Sequence, residues 1–277
     1  MTDSIAPEDV VSIIGRVAQE QVLPRFRRLA SHEIREKSPG NLVTIADTEA
    51  ELALTSALMK LLPGSLVVGE EAVAEDPAIL DRLAADDPVW IIDPVDGTMN
   101  FAKAIPRFAI IVALVSGGEL RAGWIHDPVR NVTVMAEAGG GAWRLDAAGK
   151  HRLHRTAMPP LGNARGVVGG RFGARGRVQE ILERSGQIGA LHRVTCAGLE
   201  YADLVEGRVD FAAFSRILPW DHAAGVLIHR EAGGTSGFVD DHAAGPVGYS
   251  VRRQAGLLLH APTSTGWSEL RDALMNG

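Results

Sequence analysis

Cysteine is almost absent from this chain, whose 277 residues include only Cys196. No internal disulfide can form, and a zinc site made of several thiolates is excluded. A single thiol is also typical of a reducing compartment. Long apolar runs are missing as well, because the longest unbroken one spans residues 108–115. A membrane-spanning helix needs roughly 20 such residues, so we expect no membrane partner.

Positive charge is in deficit, because 28 Lys and Arg residues face 34 Asp and Glu residues, for a formal net charge of −6. Nonspecific binding to nucleic acids or anionic membranes requires the opposite balance, so neither is expected as a partner. Asp3, Glu8 and Asp9 precede the first apolar stretch, unlike the basic start of a secretory signal. These features predict a cytoplasmic protein.

The proportions of 46% apolar and 22% charged residues are those of an ordinary globular protein. A chain of this length can bury a sizeable core without disulfides or structural metals. We therefore expect a single domain over residues 1–277. The glycine-rich and polar stretch 139–155 predicts a division into sub-lobes of about 1–148 and 149–277.

The spacing of apolar residues predicts helices layered on sheets, an α+β or α/β class. Pro24 should end the first helical segment, and residues 37–40 should form a loop. Strands separated by turn residues predict an antiparallel meander in the middle of the chain. The helices are predicted over 10–17, 44–62, 177–185, 198–205, 221–231 and 264–275, and the strands over 66–68, 89–92, 108–115, 120–126, 132–136 and 257–259.

Two carboxylates flank a proline directly after a predicted buried strand. Asp93 and Asp96 can converge on such a stiff turn, and the carbonyl of Val95 lies between them. Two carboxylates and one carbonyl form an all-oxygen set, which suits a hard divalent cation. An ordinary Asp-Pro turn followed by an Asp-Gly bend explains the same residues, so the segment alone leaves both interpretations open.

Three further acidic residues lie where predicted strands end or helices begin. Glu70 follows a strand, Asp221 opens a helix, and Asp47 follows Thr44 by three residues, as in a capping box. Each has a plain alternative as a solvated strand end or a helix cap. Gathered together, such carboxylates would repel one another, and a pair of divalent cations would remove that repulsion. The same cations would let an acidic protein act on phosphate.

Several segments together resemble the inositol monophosphatase family. They are 69–71 (GEE), 90–101 (WIIDPVDGTMNF) and 220–225 (WDHAAG), supported by 42–47 and 231–234. The resemblance runs from about Lys37 to the last strand. It implies a layered αβαβα sandwich with a mostly antiparallel N-terminal sheet and a mixed C-terminal sheet. It also implies a homodimeric, lithium-sensitive, magnesium-dependent hydrolase of small phosphomonoesters, with myo-inositol monophosphate as the expected substrate.

The resemblance also implies roles for individual metal ligands. Glu70, Asp93 and the Val95 carbonyl would bind a first Mg²⁺. Asp93, Asp96 and Asp221 would bind a second, so that Asp93 bridges the two ions. Glu70 would help to hold a possible third ion. A water molecule rather than a side chain would be the nucleophile, so no covalent phosphoenzyme is expected.

The remaining roles concern catalysis and the substrate. Glu70, Thr98 and Asp47 would be catalytic, with Thr98 orienting the water and Asp47 behind it. Asp96 and Asp221, together with the segment Gly97-Thr98, would contact the substrate. The backbone amides of that segment would hold the phosphate.

The chain departs from the family pattern where the alcohol should bind. Phe214 stands about seven residues before the metal-binding aspartate, where family members often have a glutamate that grips sugar hydroxyls. Glu200 and Tyr201 are candidates to contact the alcohol instead, and Met99 replaces a common threonine. Fructose 1,6-bisphosphate, histidinol phosphate and 3′-phosphoadenosine nucleotides therefore stay open as substrates.

Two interpretations without catalysis compete with the hydrolase. A regulatory binding protein that keeps this fold would predict decayed ligands, whereas all the carboxylates are present. A structural calcium protein would need an Asp-x-Asp-x-Asp-Gly loop, which the sequence lacks.

Overall fold

The computed structural model describes residues 5–155, 157–169, 180, 188–192, 195–239 and 245–276. Apart from residue 180, the helix predicted over 177–185 lies outside these residues. None of the helices in the described ranges is long and apolar enough to span a membrane.

Two helices cover one face of the first sheet. Helix α1 (Pro7–Val17) continues into a π-helical turn (Ala18–Val22) that ends before Pro24, as predicted. Helix α2 (Ile45–Leu61) carries a buried face of small and aliphatic residues. Between them, β1 (Ile34–Ser38) and β2 (Asn41–Thr44) form an antiparallel hairpin. The prediction of a plain loop at 37–40 is therefore wrong, because these residues are the end of β1 and its turn.

The first sheet has seven strands in chain order, which confirms the predicted meander. Only the first pair is parallel, and every later pair is antiparallel. The last hairpin lies in the polar stretch where a boundary is predicted, and residue 148 falls in its turn. The division into sub-lobes stays a prediction. The strands are β3 (Leu66–Gly69), β4 (Val89–Asp96), β5 (Ala109–Ser116), β6 (Glu119–Asp127), β7 (Val132–Glu137), β8 (Gly141–Asp146) and β9 (Gly149–Leu153).

The second sheet is mixed and has five described strands in the order β11-β10-β12-β14-β13. Strand β10 pairs in parallel with β11 and β12, whereas β14 pairs antiparallel with β12 and β13. Its strands are β10 (Arg165–Gly169), β11 (Ala190–His192), β12 (Phe211–Phe214), β13 (Thr235–Val239) and β14 (Leu257–Ala261).

The remaining helices complete the layers. Helices α5 (Ala197–Val205) and α6 (Pro219–Glu231) share one core with both sheets, so they lie between them. Helix α7 (Ser264–Asn276) packs on the outer face of the second sheet. The layered αβαβα sandwich is therefore confirmed. Two short helices, α3 (Glu70–Glu75) and α4 (Thr98–Ala102), begin directly after strands β3 and β4.

A close approach sets the position of α6 on the first sheet. A Cβ atom added at Gly123 of β6 would lie 2.7 Å from the Cα of Ala224, so only glycine lets the helix lie this near. Asp221 is in the first turn of the same helix. The packing therefore brings that carboxylate toward the end of β4.

Candidate active site

The end of β4 is irregular, and the irregularity presents both of its aspartates to one cleft. Asp93 pairs with Ile111 and Asp96 with Ala109, so β4 carries one extra residue there. In a regular strand, residues three apart point to opposite faces, and a bulge restores them to one side. Gly97 follows with φ 89°, a left-handed conformation that opens α4.

A cleft of about 380 Å³ gathers the predicted ligands from three separate elements. Glu70 comes from the start of α3, Asp93 and Asp96 from β4, and Asp221 from α6. Thus four carboxylates from distant parts of the chain line one cavity. The lining also includes Val95, Gly97, Thr98, Met99, Glu200, Phe214 and Arg216.

Crowding of like charges dominates the electrostatics of this cleft. Burial, followed by the charges of Glu70, Asp96 and Asp221, raises the pKa of Asp93 well above its ordinary value. Burial, followed by the charges of Asp96 and Glu70, also raises the pKa of Asp221. These carboxylates therefore ionise readily only when positive charge enters the cleft.

Asp96 accepts hydrogen bonds from the first turn of α5 and from Cys196, the residue that precedes this helix. Its Oδ2 accepts from the Gly198 amide at 2.7 Å and from the Cys196 thiol at 3.0 Å. Burial raises the pKa of Asp96 to about 6, although these hydrogen bonds act in the opposite direction. The lone cysteine thus supports a carboxylate, and burial raises the pKa of its own thiol well above the ordinary value.

Asp47 lies behind the cleft and reaches it through Thr98. Its Oδ2 accepts from the backbone amide of Thr44 at 2.8 Å, which completes the predicted capping box. Its Oδ1 accepts from the Thr98 hydroxyl at 2.9 Å, and the Val95 carbonyl lies 3.0 Å from the same hydroxyl. Burial raises the pKa of Asp47 to about 7. The Thr98 oxygen keeps lone pairs that can accept a proton from a molecule in the cleft.

Two charged residues outside the predicted ligand set support Glu70. The Lys37 ammonium lies 2.8 Å from Glu70 Oε1 and 2.9 Å from Glu71 Oε1. Glu51 accepts from the backbone amides of Glu71 at 2.9 Å and Ala72 at 2.8 Å, so it caps α3 from the neighbouring helix. The sequence signal for Glu51 is its place one helical turn after Asp47, on the same buried face of α2.

The donor chemistry fits a hard divalent cation, since the four carboxylates and the Val95 carbonyl provide oxygen atoms alone. Within the described ranges, however, no three or more His, Cys, Asp or Glu side chains are already drawn together closely enough to hold a metal ion. Lys37 pairs with Glu70 at 2.8 Å, and carboxylates gathered without a cation repel one another.

Phe214 and its neighbours form the part of the cleft where the resemblance predicts that the alcohol binds. Phe214 is 3% exposed, and its ring stacks on Tyr201 with centroids 5.3 Å apart. Tyr201 is fully buried, and its hydroxyl contacts His222 and His260. The expectation that Tyr201 contacts the alcohol is therefore wrong, because its polar atom is occupied inside the core. Glu200 does line the cleft.

Comparison with known proteins finds consistent matches over most of the chain. Residues 8–256 match the model of the inositol monophosphatase family. A fructose-1,6-bisphosphatase/inositol-1-monophosphatase from Thermotoga maritima is 34% identical over 201 residues, which cover 72% of this chain and 73% of that protein. An inositol-1-monophosphatase from Mesorhizobium japonicum is 33% identical over 225 residues, 78% of each chain.

Solved structures agree with these sequence matches. An inositol monophosphatase from Thermotoga maritima superposes with a TM-score of 0.79 at 26% identity, over 97% of this chain and 96% of that one. An extragenic suppressor protein, suhB, from Bartonella henselae superposes with a TM-score of 0.78 at 26% identity, over 97% and 99%. The similarity therefore extends through both sheets.

Proposed function

This chain belongs to the inositol monophosphatase family and is a phosphomonoester hydrolase, and we propose that its reaction takes place in the acidic cleft at the end of β4. The observation that carries this assignment is the convergence of Glu70, Asp93, Asp96 and Asp221 on one cavity. Four carboxylates in one cleft repel an anionic ester by themselves, so the proposal requires cations.

We propose Mg²⁺ as the cofactor, held as a pair. Glu70, Asp93 and the Val95 carbonyl would hold one ion, and Asp93, Asp96 and Asp221 would hold the other. When bound, the ions supply the positive charge that an attacking water and a leaving oxygen require in phosphoryl transfer. A third ion at Glu70 stays a prediction.

The protein's own residues would orient and deprotonate the attacking water. The Thr98 hydroxyl is fixed by Asp47 Oδ1, so its oxygen can accept a hydrogen bond from a water in the cleft. Asp47 then receives the proton through Thr98. Its pKa of about 7 suits a base at neutral pH.

The phosphate would bind at the start of α4 in this proposal. Gly97 and Thr98 both line the cleft, and their backbone amides would donate to phosphate oxygen atoms. Asp96 and Asp221 would contact the substrate as well. The product alcohol would leave past Glu200 and Phe214, which line the same cavity.

Myo-inositol monophosphate is the first substrate to test. Phosphate release should require magnesium, should stop in EDTA, and should fall at least about 10³-fold in Asp93→Asn. The exposed substitution Asp87→Asn removes the same charge away from the cleft and is the matched control. Equal turnover of the wild type with and without magnesium, or of Asp93→Asn and Asp87→Asn, would contradict the proposal.

A bisphosphate is the second candidate, because the cleft also contains the cationic side chain of Arg216.

Lithium inhibition, a homodimeric assembly and a cytoplasmic location stay predictions. Phosphate release in LiCl and sedimentation velocity test the first two directly.

A further inference from the structure

Helix α3 begins without a capping side chain of its own. Gly69 precedes its first residue in an extended conformation and has no side chain that could accept a hydrogen bond from the first turn. The first amides of a helix have no partner within that helix, and leaving them unpaired in the interior is costly. This boundary matters for the cleft, because Glu70 is the first residue of α3 and lines the cavity.

Glu51 of α2 provides the missing acceptor from another part of the chain. Its carboxylate is buried, and it accepts from the backbone amides of Glu71 at 2.9 Å and Ala72 at 2.8 Å. These are the second and third residues of α3, whose amides an N-cap side chain normally accepts from. Oε2 takes one amide and Oε1 takes the other, so both oxygen atoms of the carboxylate serve the helix.

Gly69 and Glu51 are complementary in shape. A Cβ atom added at Gly69 would lie 2.3 Å from the carboxyl carbon of Glu51 and 2.5 Å from each of its oxygen atoms. The φ angle of Gly69 is −103°, which any residue can adopt. Glycine is therefore required here by the space that the carboxylate occupies and not by the backbone conformation. The Glu51 carboxylate stands where the side chain of an ordinary N-cap residue would lie.

The same face of α2 supports a second element of the cleft. Asp47 lies one helical turn before Glu51, and both side chains are buried. Residues four apart on a helix lie on one face. Asp47 accepts from the Thr98 hydroxyl at 2.9 Å, whereas Glu51 accepts from the first turn of α3. One rigid helix thus holds both the threonine proposed to orient the water and the helix that carries Glu70.

Two contacts of different kinds hold Glu70 in place. The Lys37 ammonium lies 2.8 Å from its carboxylate, whereas Glu51 holds the backbone from which the side chain projects. A cation that binds the Glu70 carboxylate competes with Lys37, but the backbone contacts of Glu51 need not change. A ligand whose backbone is already fixed loses less freedom when it binds.

We propose that Glu51 is a positioning residue that sets the affinity of the cleft for the cation held by Glu70. The inference rests on the proposed function, because it concerns one of the two cations assigned to the cleft. Glu51 would act through the backbone of α3 alone, without touching the cation or the substrate. Residues that orient a metal ligand from outside the coordination sphere commonly change metal affinity about 10- to 100-fold.

Calorimetric titration with MnCl₂ tests the inference. The wild type should bind two Mn²⁺ ions per chain, and Glu70→Gln identifies the affinity that depends on Glu70. Glu51→Ala should weaken that same affinity about 10- to 100-fold and leave the other nearly unchanged. The matched control Glu49→Ala removes an exposed carboxylate from the same helix and should change neither affinity. In EDTA, amide hydrogen exchange over residues 70–75 should be faster in Glu51→Ala than in Glu49→Ala.

A second change at Gly69 separates capping from general packing. In the Glu51→Ala background, Gly69→Ser would place an N-cap hydroxyl in the space left by the carboxylate and should recover about 5-fold of the lost affinity. Gly69→Ala fills the same space without an acceptor and should recover none. If Glu51→Ala does not fold, Glu51→Gln replaces it. Its amide nitrogen would face one of the two backbone N–H groups, so the same affinity should fall.

The outcomes separate this inference from the proposed function. Equal manganese affinities in the Glu51 variant and in Glu49→Ala, or equal recovery by serine and alanine at Gly69, would overturn the inference alone. A wild type that binds manganese but releases no phosphate with magnesium would refute the proposed function, while the same affinities still decide the role of Glu51. A wild type that binds no manganese would overturn both.

Discussion

Replacing Asp96 by asparagine should stabilise the metal-free protein while it destroys activity. Asp96 is 8% exposed, and burial raises its pKa from 3.8 to about 6. Each pKa unit corresponds to about 1.4 kcal/mol, so the ionised side chain costs the folded state about 3 kcal/mol above pH 6. The sign follows because the folded protein binds this proton more tightly than the unfolded chain does.

The gain from removing this charge already includes the hydrogen bonds of the carboxylate, because the Gly198 amide and the Cys196 thiol lower the pKa of Asp96 against the effect of burial. In EDTA at pH 8, Asp96→Asn should therefore be about 2–3 kcal/mol more stable than the wild type. At pH 4 the folded carboxylate is protonated and the unfolded one is about half ionised, so nearly all of this difference should disappear.

Urea denaturation in EDTA between pH 4 and pH 8 measures how this stability difference grows with pH. Asp87→Asn, an exposed substitution, should show no such growth. With magnesium present, the wild type should gain stability that Asp96→Asn largely lacks, and phosphate release by the variant should fall at least about 10²-fold. If Asp96→Asn is destabilised equally at both pH values, the charge-crowding argument is refuted.

Three further changes probe the same account. Thr98→Val should lower phosphate release about 10²- to 10⁴-fold because the hydroxyl that donates to Asp47 is lost. Thr98→Ser keeps a hydroxyl and should stay within about 10-fold of wild type. Equal rates of phosphate release by the two variants would contradict the role of Thr98. Gly225→Ala would place Cβ 2.2 Å from the buried Tyr201 ring and should cost about 1–3 kcal/mol in thermal melts. Gly15→Ala, with no atom within 4 Å, should instead gain about 0.5–1 kcal/mol, and the reverse order would contradict the packing. The rise in melting temperature caused by magnesium should grow from pH 5 to pH 8, since protons compete for Asp93 and Asp221; a larger effect at pH 5 would contradict it.

The acidic residues of the cleft could be predicted because they lie at the ends of buried strands or the starts of helices. Asp93 and Asp96 follow an apolar run, and Asp221 follows a tryptophan at a helix start. Their spacing shows which residues could meet, and the fold then places them on one cleft. The capping role of Asp47 is equally local, because its partner Thr44 is three residues away.

The supporting contacts could not be predicted, because they join residues that are distant in the chain. The hydrogen bonds of Glu51 to the first turn of α3 depend on how two helices pack. Lys37 reaches Glu70 only because a hairpin forms where the sequence predicts a loop. Strand β9 is largely exposed and rich in charge, so it lacks the alternation that marks a half-buried strand.

Tyr201 shows a different reason for a wrong prediction. A tyrosine next to a cleft residue is a reasonable candidate for substrate contact, and adjacent positions on a helix point in different directions. Glu200 lines the cleft, whereas Tyr201 turns into the core and bonds two histidines. Only the packing of α5 decides between them.

The most direct test of the paired-cation cleft is anomalous X-ray diffraction from crystals of the wild-type protein soaked in MnCl₂. Manganese replaces magnesium at oxygen sites and has a measurable absorption edge. Two anomalous peaks roughly 3.5–4 Å apart, with Asp93 between them and Glu70 and Asp221 on either side, are the predicted result. Manganese peaks elsewhere, with none in the cleft under conditions in which manganese supports phosphate release, would contradict the account.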